Sequence, residues 1–446
     1  MTQRLQSTVT RNLESRLIKV YVSHITPRLS YALDLVLRQV GEVDFEIVTD
    51  RSLISNSDIV INYSGEVIAG SFQVHPNGLL NEKDVQKRDI PFEYRSDDFL
   101  VSVFPTEFDD LGFDIFSAAF FFAARVEEYW KFEKDTHGRF TAEQSISKQI
   151  GILKRPIINI WVRELLKLLS VKFKLEFKSS RTFKVVNTID IDNAWAHRNK
   201  GLLRTVGAIG KSLSKGAVSD SSKRLSSIVN PDKDPYDTYA YLKQLQEEKG
   251  FESVYFFLLG DYQKYDTNVS HKNKQLQALI QEVSSYAKVG IHPSYHSYLN
   301  ADQTTKEIKR LADIVGSEVT LSRKHFLRLS IPDCYRILSD AGIQEDYTMG
   351  YADQVGFRAG LCTSFTFFDV LQDKELPLRV HPFAYMDGAL NEYLKMSIEE
   401  AQETIAFLKK EVKSVNGTFM GVWHNDTVAE VNHWKGWRAV YSSSFE

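Results

Sequence analysis

The stretch FKVVNTIDID, residues 183–192, decides how this chain is read. Val185, Val186, Thr188, Ile189 and Ile191 make a β-branched run that favours a strand, and the run ends in acids. Successive strand residues face opposite sides, so Asp190 and Asp192 turn both carboxylates to one side at the strand's carboxyl end.

Strand and helix patterns alternate from there on. DTYAYLKQLQEEKG reads as a helix ending at Gly250, ESVYFFLLG as a strand, and KNKQLQALIQEVSSYAK as a helix. VGIH is a short strand, TTKEIKRLADIVG a helix ending at Gly316, and EVTLSR a strand. DCYRILSDAG, IQEDYTMG, EEAQETIAFLKKEVKSVNG and TFMGVWHND continue the alternation. Repeated units of this kind imply an α/β fold, with parallel strands covered by helices. Asp190, Asp192, His292 and His424 all fall at carboxyl ends of the expected strands, the edge where such folds build their sites.

His292 and His296 stand four apart in HPSYH. With an aspartate they make a ligand set that suits zinc, and also cobalt, nickel or iron. Pro293 interferes with one regular helix through both, but a strand end followed by a turn delivers the pair equally well. Chance proximity is the plain alternative for the histidines, and a cap or loop hydrogen bond for either aspartate. The aspartates could also divide labour, one holding a cation and the other accepting a proton from water that the cation acidifies.

At 446 residues the chain is longer than one ordinary core organises, so two domains are expected. The boundaries expected are 1–150 for a smaller N-terminal α/β domain, 151–180 for a linking helical segment around WVRELLKLLS, and 181–446 for the larger domain. The 43% hydrophobic and 25% charged residues are those of a globular protein, and a net charge of -3 offers no general attraction for nucleic acid or anionic membrane. Cys334 and Cys362 are too few for a disulfide framework. No apolar run is long enough to span a bilayer and the first residues lack a signal-peptide core, so a cytoplasmic protein is expected.

In the first half, residues 13–42 read as helix, DFEIVTD and SDIVINYS as strands, and SFQVHPNGLL as a strand with a turn suited to a hairpin. FSAAFFFAARVEEYW reads as a buried helix, with Glu127 and Glu128 as surface charge at its polar end. GKS at 210–212 is not a phosphate loop, because Thr205 stands where that motif needs glycine.

The segments TIDID and HPSYH resemble the motifs of the NodB-type polysaccharide deacetylases, carbohydrate esterase family 4. ARVEEYW, HGRF, SRKHFLR, EDYTMGYADQVGFRAG, VHPFAYMDG and VWHN extend the likeness to a bacterial branch that joins such a domain to an N-terminal domain of unknown role. The resemblance implies a distorted (β/α) barrel that removes acetyl groups from sugars with one divalent metal ion, zinc first. It implies Asp190 as catalytic base and Asp192, His292 and His296 as metal ligands. The arginine that orients the base would be Arg323 or Arg328, because SRKHFLRLSIP replaces the usual arginine–proline motif, and Ile191 separates aspartates that are usually adjacent. His325, between the arginines, would contact substrate or support the site. His424 after the last strand would be the general acid, with His381 as competitor.

Asp346, Tyr347 and Arg358 are candidates to line the substrate groove, with a buried Arg358–Asp346 pair as the alternative. Trp423, like Trp195, Trp434 and Trp437, would stack on a sugar ring or fill the core. The reading is a metal-dependent hydrolase acting on an acetylated sugar or glycan intermediate, with homo-oligomerisation open. Another metal amidohydrolase, or a non-catalytic carbohydrate-binding or scaffold protein, remains the alternative.

Overall fold

The computed structural model describes residues 17–177, 179–199 and 234–446, and the GKS segment lies outside them. The chain forms two compact units. One comprises the described part of Met1–Glu82 with Ile90–Ala118 and Trp161–Ser180, and the other Lys83–Asp89, Ala119–Ile160 and Arg181–Glu446. One switch between the units falls at Ser180–Arg181, and none falls at 150. The chain passes between units inside the helices Ile115–Ala123 and Ile157–Phe173, and a continuous helix leaves no linker composition to read.

In the first unit, β1 (Ile18–Val22), β2 (Phe45–Val48), β3 (Ile59–Tyr63) and β4 (Phe72–Gln73) form a sheet in the order β2-β1-β3-β4, parallel throughout. β1 falls where helix was expected. Its IKVYV sequence is short, β-branched and buried almost throughout, as a central parallel strand requires. β4 pairs with β3 alone and in parallel, so among the described residues no strand returns on it through the Pro-Asn-Gly turn as a hairpin would. The Pro-Asn-Gly turn instead leads into a 3-10 turn at Leu79–Asn81, with Gly78 in the left-handed region at φ 108°. β5 (Phe92–Tyr94) and β6 (Val101–Val103) make a separate antiparallel ribbon.

Among the described residues the second unit carries nine strands: β7 (Lys184–Ile191), β8 (Glu252–Phe257), β9 (Lys288–Ile291), β10 (Leu321–Ser322), β11 (Glu345–Asp346), β12 (Phe365–Asp369), β13 (Lys374–Val380), β14 (Tyr385–Met386) and β15 (Thr418–His424). Their order is β12-β13-β11-β10-β9-β8-β7-β15-β14. Every neighbouring pair from β13 to β14 is parallel, and only β12 on β13 is antiparallel. Among the described residues no ladder joins β14 to the β12–β13 edge, so what is seen of the expected barrel is this mixed α/β sheet.

Helices cover the sheet where periodicity placed them. Tyr239–Lys249 and Ala301–Val315 end at Gly250 and Gly316, at φ 71° and 77°, conformations that cost glycine little. Asn273 and Asn300 cap their helices through side-chain oxygens, and Ser397 with Glu400 forms a capping box on Ile398–Ser414.

Glu127 and Glu128 are buried, contrary to the surface role expected of them. Arg125, in the left-handed region at φ 55°, ends the apolar helix and starts a 3-10 turn at Val126–Tyr129, which directs both carboxylates inward. Glu128 accepts from Arg125 Nε at 2.7 Å and from Arg358 Nε and Nη2 at 2.9 and 2.5 Å. Glu127 pairs with Arg125 Nη2 at 2.6 Å. Buried carboxylates and guanidinium groups persist together because their mutual attraction and hydrogen bonds offset the cost of taking each out of water.

Candidate functional site

β7 and β15 lie side by side, and their register sets Asp190 opposite His424. Arg323, directly after β10, is fully buried and donates from Nη1 to Asp190 Oδ1 at 2.9 Å, from Nη2 to Thr188 Oγ1 at 2.8 Å and from Nε to the Tyr347 carbonyl at 3.0 Å. Three acceptors at fixed angles hold the guanidinium, and the guanidinium in turn fixes the Asp190 carboxylate. Of the two arginines expected near the base, Arg323 reaches it. Arg328 instead donates to the carbonyls of His137 and Tyr295 at 2.7 and 2.9 Å, with its guanidinium 3.9 Å from the rings of Tyr295 and Tyr298.

His292 follows β9 and is buried. Its Nδ1–H donates to the Arg323 carbonyl at 2.6 Å, which fixes the tautomer and leaves Nε2 facing the aspartates. That nitrogen lies 3.2 Å from Asp192 Oδ1 and 3.7 Å from Asp190 Oδ2. His325 supplies a second ring: its Nε2 is 3.2 Å from Asp192 Oδ2, while Nδ1 donates to Asp266 Oδ1 at 3.0 Å. Donor atoms of Asp192, His292 and His325 all lie within 4.8 Å of one another.

His296 does not join this cluster, although the HPSYH motif led to that expectation. Glu307 accepts from the amide and hydroxyl of Ser294 at 2.8 and 2.6 Å, and Ser294 caps a 3-10 turn at Tyr295–Ser297. This turn points the His296 ring outward, 47% exposed, with Nδ1 3.7 Å from Asp266. Spacing of four brings rings together along a helix, and no helix runs through Pro293. His325 stands beside Asp192 instead, and its amide donates to the Pro293 carbonyl at 3.0 Å. The turn at His325–Leu327 holds two successive non-glycine residues at positive φ, Phe326 at 58° and Leu327 at 50°. Such conformations cost about 1–3 kcal/mol each and gather at functional sites.

His424 completes the cluster, with Nε2 4.0 Å from both Asp190 Oδ2 and Asp192 Oδ2. Its Nδ1 lies 3.0 Å from both oxygens of the buried Asp387, which also accepts from the His424 amide at 2.8 Å and Thr427 Oγ1 at 2.6 Å.

These groups shape each other's charge. Burial works against a charged His424, but Asp387, then Asp192 and Asp190, outweigh it and hold the imidazolium well above the usual histidine range. Burial likewise opposes charge on His325, yet Asp192 and Asp266 push it up to about 9. Burial would raise Asp192, and His325, His292 and His424 together bring it well below the usual carboxylate range.

All of these groups except Arg323 and Asp266 line one cavity of about 220 Å³, with Arg139, Lys324, Phe326, Tyr393, Asp426 and Trp434 among its other walls. Inside it, His292 Nε2 and Asp192 Oδ1 are sealed from solvent and make no hydrogen bond among the described residues. Unpartnered buried groups cost about 1–3 kcal/mol each. One aspartate oxygen and two imidazole nitrogens, with both Nδ1 atoms already committed to backbone or carboxylate, are a donor set that fits a divalent transition metal.

The remaining expected residues lie elsewhere. His381 pairs with Glu345 Oε2 at 2.9 Å and stacks on Tyr347 at 4.4 Å, outside the cavity walls. Tyr347 donates its hydroxyl to Glu345 at 2.9 Å. Asp346 is buried and accepts from Ser322, Thr348 N and Thr348 Oγ1 at 2.7, 2.9 and 2.8 Å, so it does not pair with Arg358, whose carboxylate partner is Glu128. Trp423 is buried and donates to the Tyr385 hydroxyl at 3.1 Å. Groove-lining roles for these residues do not fit their positions, because pairing and core packing already occupy them. Asp266 and Asp387 were not foreseen. They lie 59 and 37 residues from the histidines they orient, and no periodicity links such pairs.

Comparison with known proteins adds the following. The family model described as a family of unknown function, DUF7033, matches residues 18–174, which end before Asp190. No curated protein matches the chain. Among solved structures, a provisionally assigned polysaccharide deacetylase from Mycobacterium smegmatis is similar at 12% identity and a TM-score of 0.38, covering 61% of this chain and 86% of its own. A polysaccharide deacetylase from Bacillus cereus gives 11% identity and a TM-score of 0.28, covering 59% and 85%. A GH138 enzyme targeting pectin rhamnogalacturonan II gives 8% and 0.23, covering 96% and 64%. No helix among the described residues is long and apolar enough to cross a membrane.

Proposed function

We propose that the second unit is a divalent-metal-dependent hydrolase that removes an acetyl group from a sugar or glycan intermediate. The observation that carries this reading is the convergence of Asp190, Asp192, His292, His325 and His424 at one cavity, with Asp190 and His424 each held by a dedicated partner. Asp192, His292 and His325 would hold the cation, zinc being the first candidate for such donors. Bound there, it supplies Lewis acidity toward water and an acyl oxygen. The likeness of TIDID and HPSYH to the NodB-type deacetylases supports acetyl as the group removed, and the parallel strand order is compatible with that family's distorted barrel.

Asp190 accepts a proton from the attacking water, in an orientation Arg323 maintains. His424, kept charged by Asp387, delivers a proton to the departing nitrogen or oxygen. Phe326, Leu327, Met386 and Trp434 supply apolar walls beside these polar groups.

Asp190→Asn tests the reading. The variant should keep its metal, measured by mass spectrometry, and lose about 10²- to 10⁴-fold in acetate release from a panel of N- and O-acetylated oligosaccharides, the range for acid–base catalysis. Undiminished turnover in Asp190→Asn removes the base assignment. Wild-type protein that binds no divalent metal after supplementation removes the hydrolase.

A further inference from the structure

All but one of the acids that line the cavity are matched. Asp190 meets Arg323, Asp192 meets His325, Asp387 meets His424, and Glu392 meets His433 at 3.2 Å. The cations there are committed too: Arg139 pairs with Asp135 at 2.7 Å, and the Lys324 ammonium turns to Ser297 Oγ at 3.1 Å. Asp426 lines the same cavity two residues beyond His424, and among the described residues no other side chain gives its carboxyl group an ion pair or a hydrogen bond. Burial pushes it up to about 6; His424 favours its charge, while Asp192 and Asp387 oppose it. A carboxylate in this position is costly when substrate displaces water, unless the substrate brings a donor or a positive charge.

We propose that Asp426 recognises the nitrogen of the substrate, as counter-charge to the ammonium the reaction leaves, so that the acetyl group is removed from nitrogen and not from oxygen. This inference rests on the hydrolase reading above. In amide hydrolysis, the water oxygen bonds to the acyl carbon and the C–N bond breaks. One water proton reaches nitrogen by way of Asp190 and His424, and the acetic acid formed gives its proton to the amine at neutral pH. The products are acetate and R–NH3⁺, and the second carries the charge that Asp426 lacks a partner for. Ester hydrolysis leaves acetate, a neutral alcohol and a proton lost to solvent, with no new positive charge for Asp426 to meet. The same carboxylate disfavours a phosphate or carboxylate on that part of the sugar.

The test compares full-length zinc-loaded wild type with Asp426→Asn, which keeps the shape and removes the charge, and with Asp426→Ser in case the first variant folds poorly. Binding of glucosamine against glucose, and of galactosamine against galactose, is measured by ligand-observed NMR at neutral pH. Acetate release from N-acetylated and O-acetylated sugars is followed on the same preparations. The expected result is an amine preference of about tenfold or more in wild type, worth about 1.4 kcal/mol, that falls to near parity in both variants, with turnover confined to N-acetyl sugars. No amine preference in wild type, a preference that survives in the variants, or acetate released only from O-acetyl sugars would each overturn the assignment. The two failures are distinguishable. Wild type with neither metal nor turnover removes the hydrolase and this inference with it, whereas metal with acetate released from esters alone leaves the hydrolase and removes only the Asp426 assignment.

Discussion

Titrating the zinc-loaded protein with a chromophoric chelator separates His325 from His296 as the third ligand. His325 offers Nε2 at 3.2 Å from Asp192 Oδ2, with Nδ1 anchored on the buried Asp266, whereas His296 stands 47% exposed behind Asp266. Zinc sites with four donors bind with about 10–16 kcal/mol, so removing one donor costs about 3 kcal/mol. That is about two orders of magnitude in Kd, since each tenfold is about 1.4 kcal/mol. His325→Ala should therefore weaken zinc by about 100-fold. His296→Ala removes an exposed ring 3.7 Å from Asp266, a change of the kind usually worth no more than about 0.5 kcal/mol, and should leave Kd within about threefold. Thermal unfolding of both metal-free variants separates loss of affinity from loss of fold. Zinc lost in His296→Ala and retained in His325→Ala would refute the ligand set and restore the motif histidine.

Two further outcomes follow from the charged partners. Asp387→Asn removes the main support of the His424 imidazolium, so the alkaline limb of the pH–rate profile should move to lower pH, with kcat down about 10²-fold or more; an unmoved limb would mean that Asp387 does not set this acid. Glu128→Ala leaves Arg358 without its carboxylate and Arg125 with Glu127 alone, and should cost about 3–5 kcal/mol in urea unfolding, if the second unit unfolds as one transition. Burial would raise Glu128, but Arg358 and Arg125 outweigh it and hold it below the usual range. Its contribution is present above the unfolded value and is lost as pH falls through the folded one, so the wild-type advantage over Glu128→Ala should shrink in acid. A loss under about 1 kcal/mol at neutral pH would contradict the burial argument.

Much of the second unit was legible because its signals are local. β-Branched runs, amphipathic periods and the glycines at 250 and 316 each act within one element, and the strands and helices formed where those signals lay. Alternation along TIDID likewise brought Asp190 and Asp192 to one strand end, and the carboxyl end of β15 brought His424 beside them. The first unit was less legible at Ile18–Val22, where five residues are too few for the period to exclude helix and the parallel partners that make them a strand lie at Phe45–Val48 and Ile59–Tyr63.

The sequence by itself determined the α/β class of the second unit and the chemical kinds of residue at its site, since both depend on spacing within single strands and helices. Tertiary structure alone decided which of those residues meet. His325 rather than His296 faces Asp192, Arg323 rather than Arg328 holds Asp190, Asp387 stands behind His424, and Glu128 joins Arg125 to Arg358. Each of these choices turns on the direction of a turn, such as the one Ser294 and Glu307 fix after β9. That direction is set by contacts between segments far apart in the chain, which no local pattern encodes.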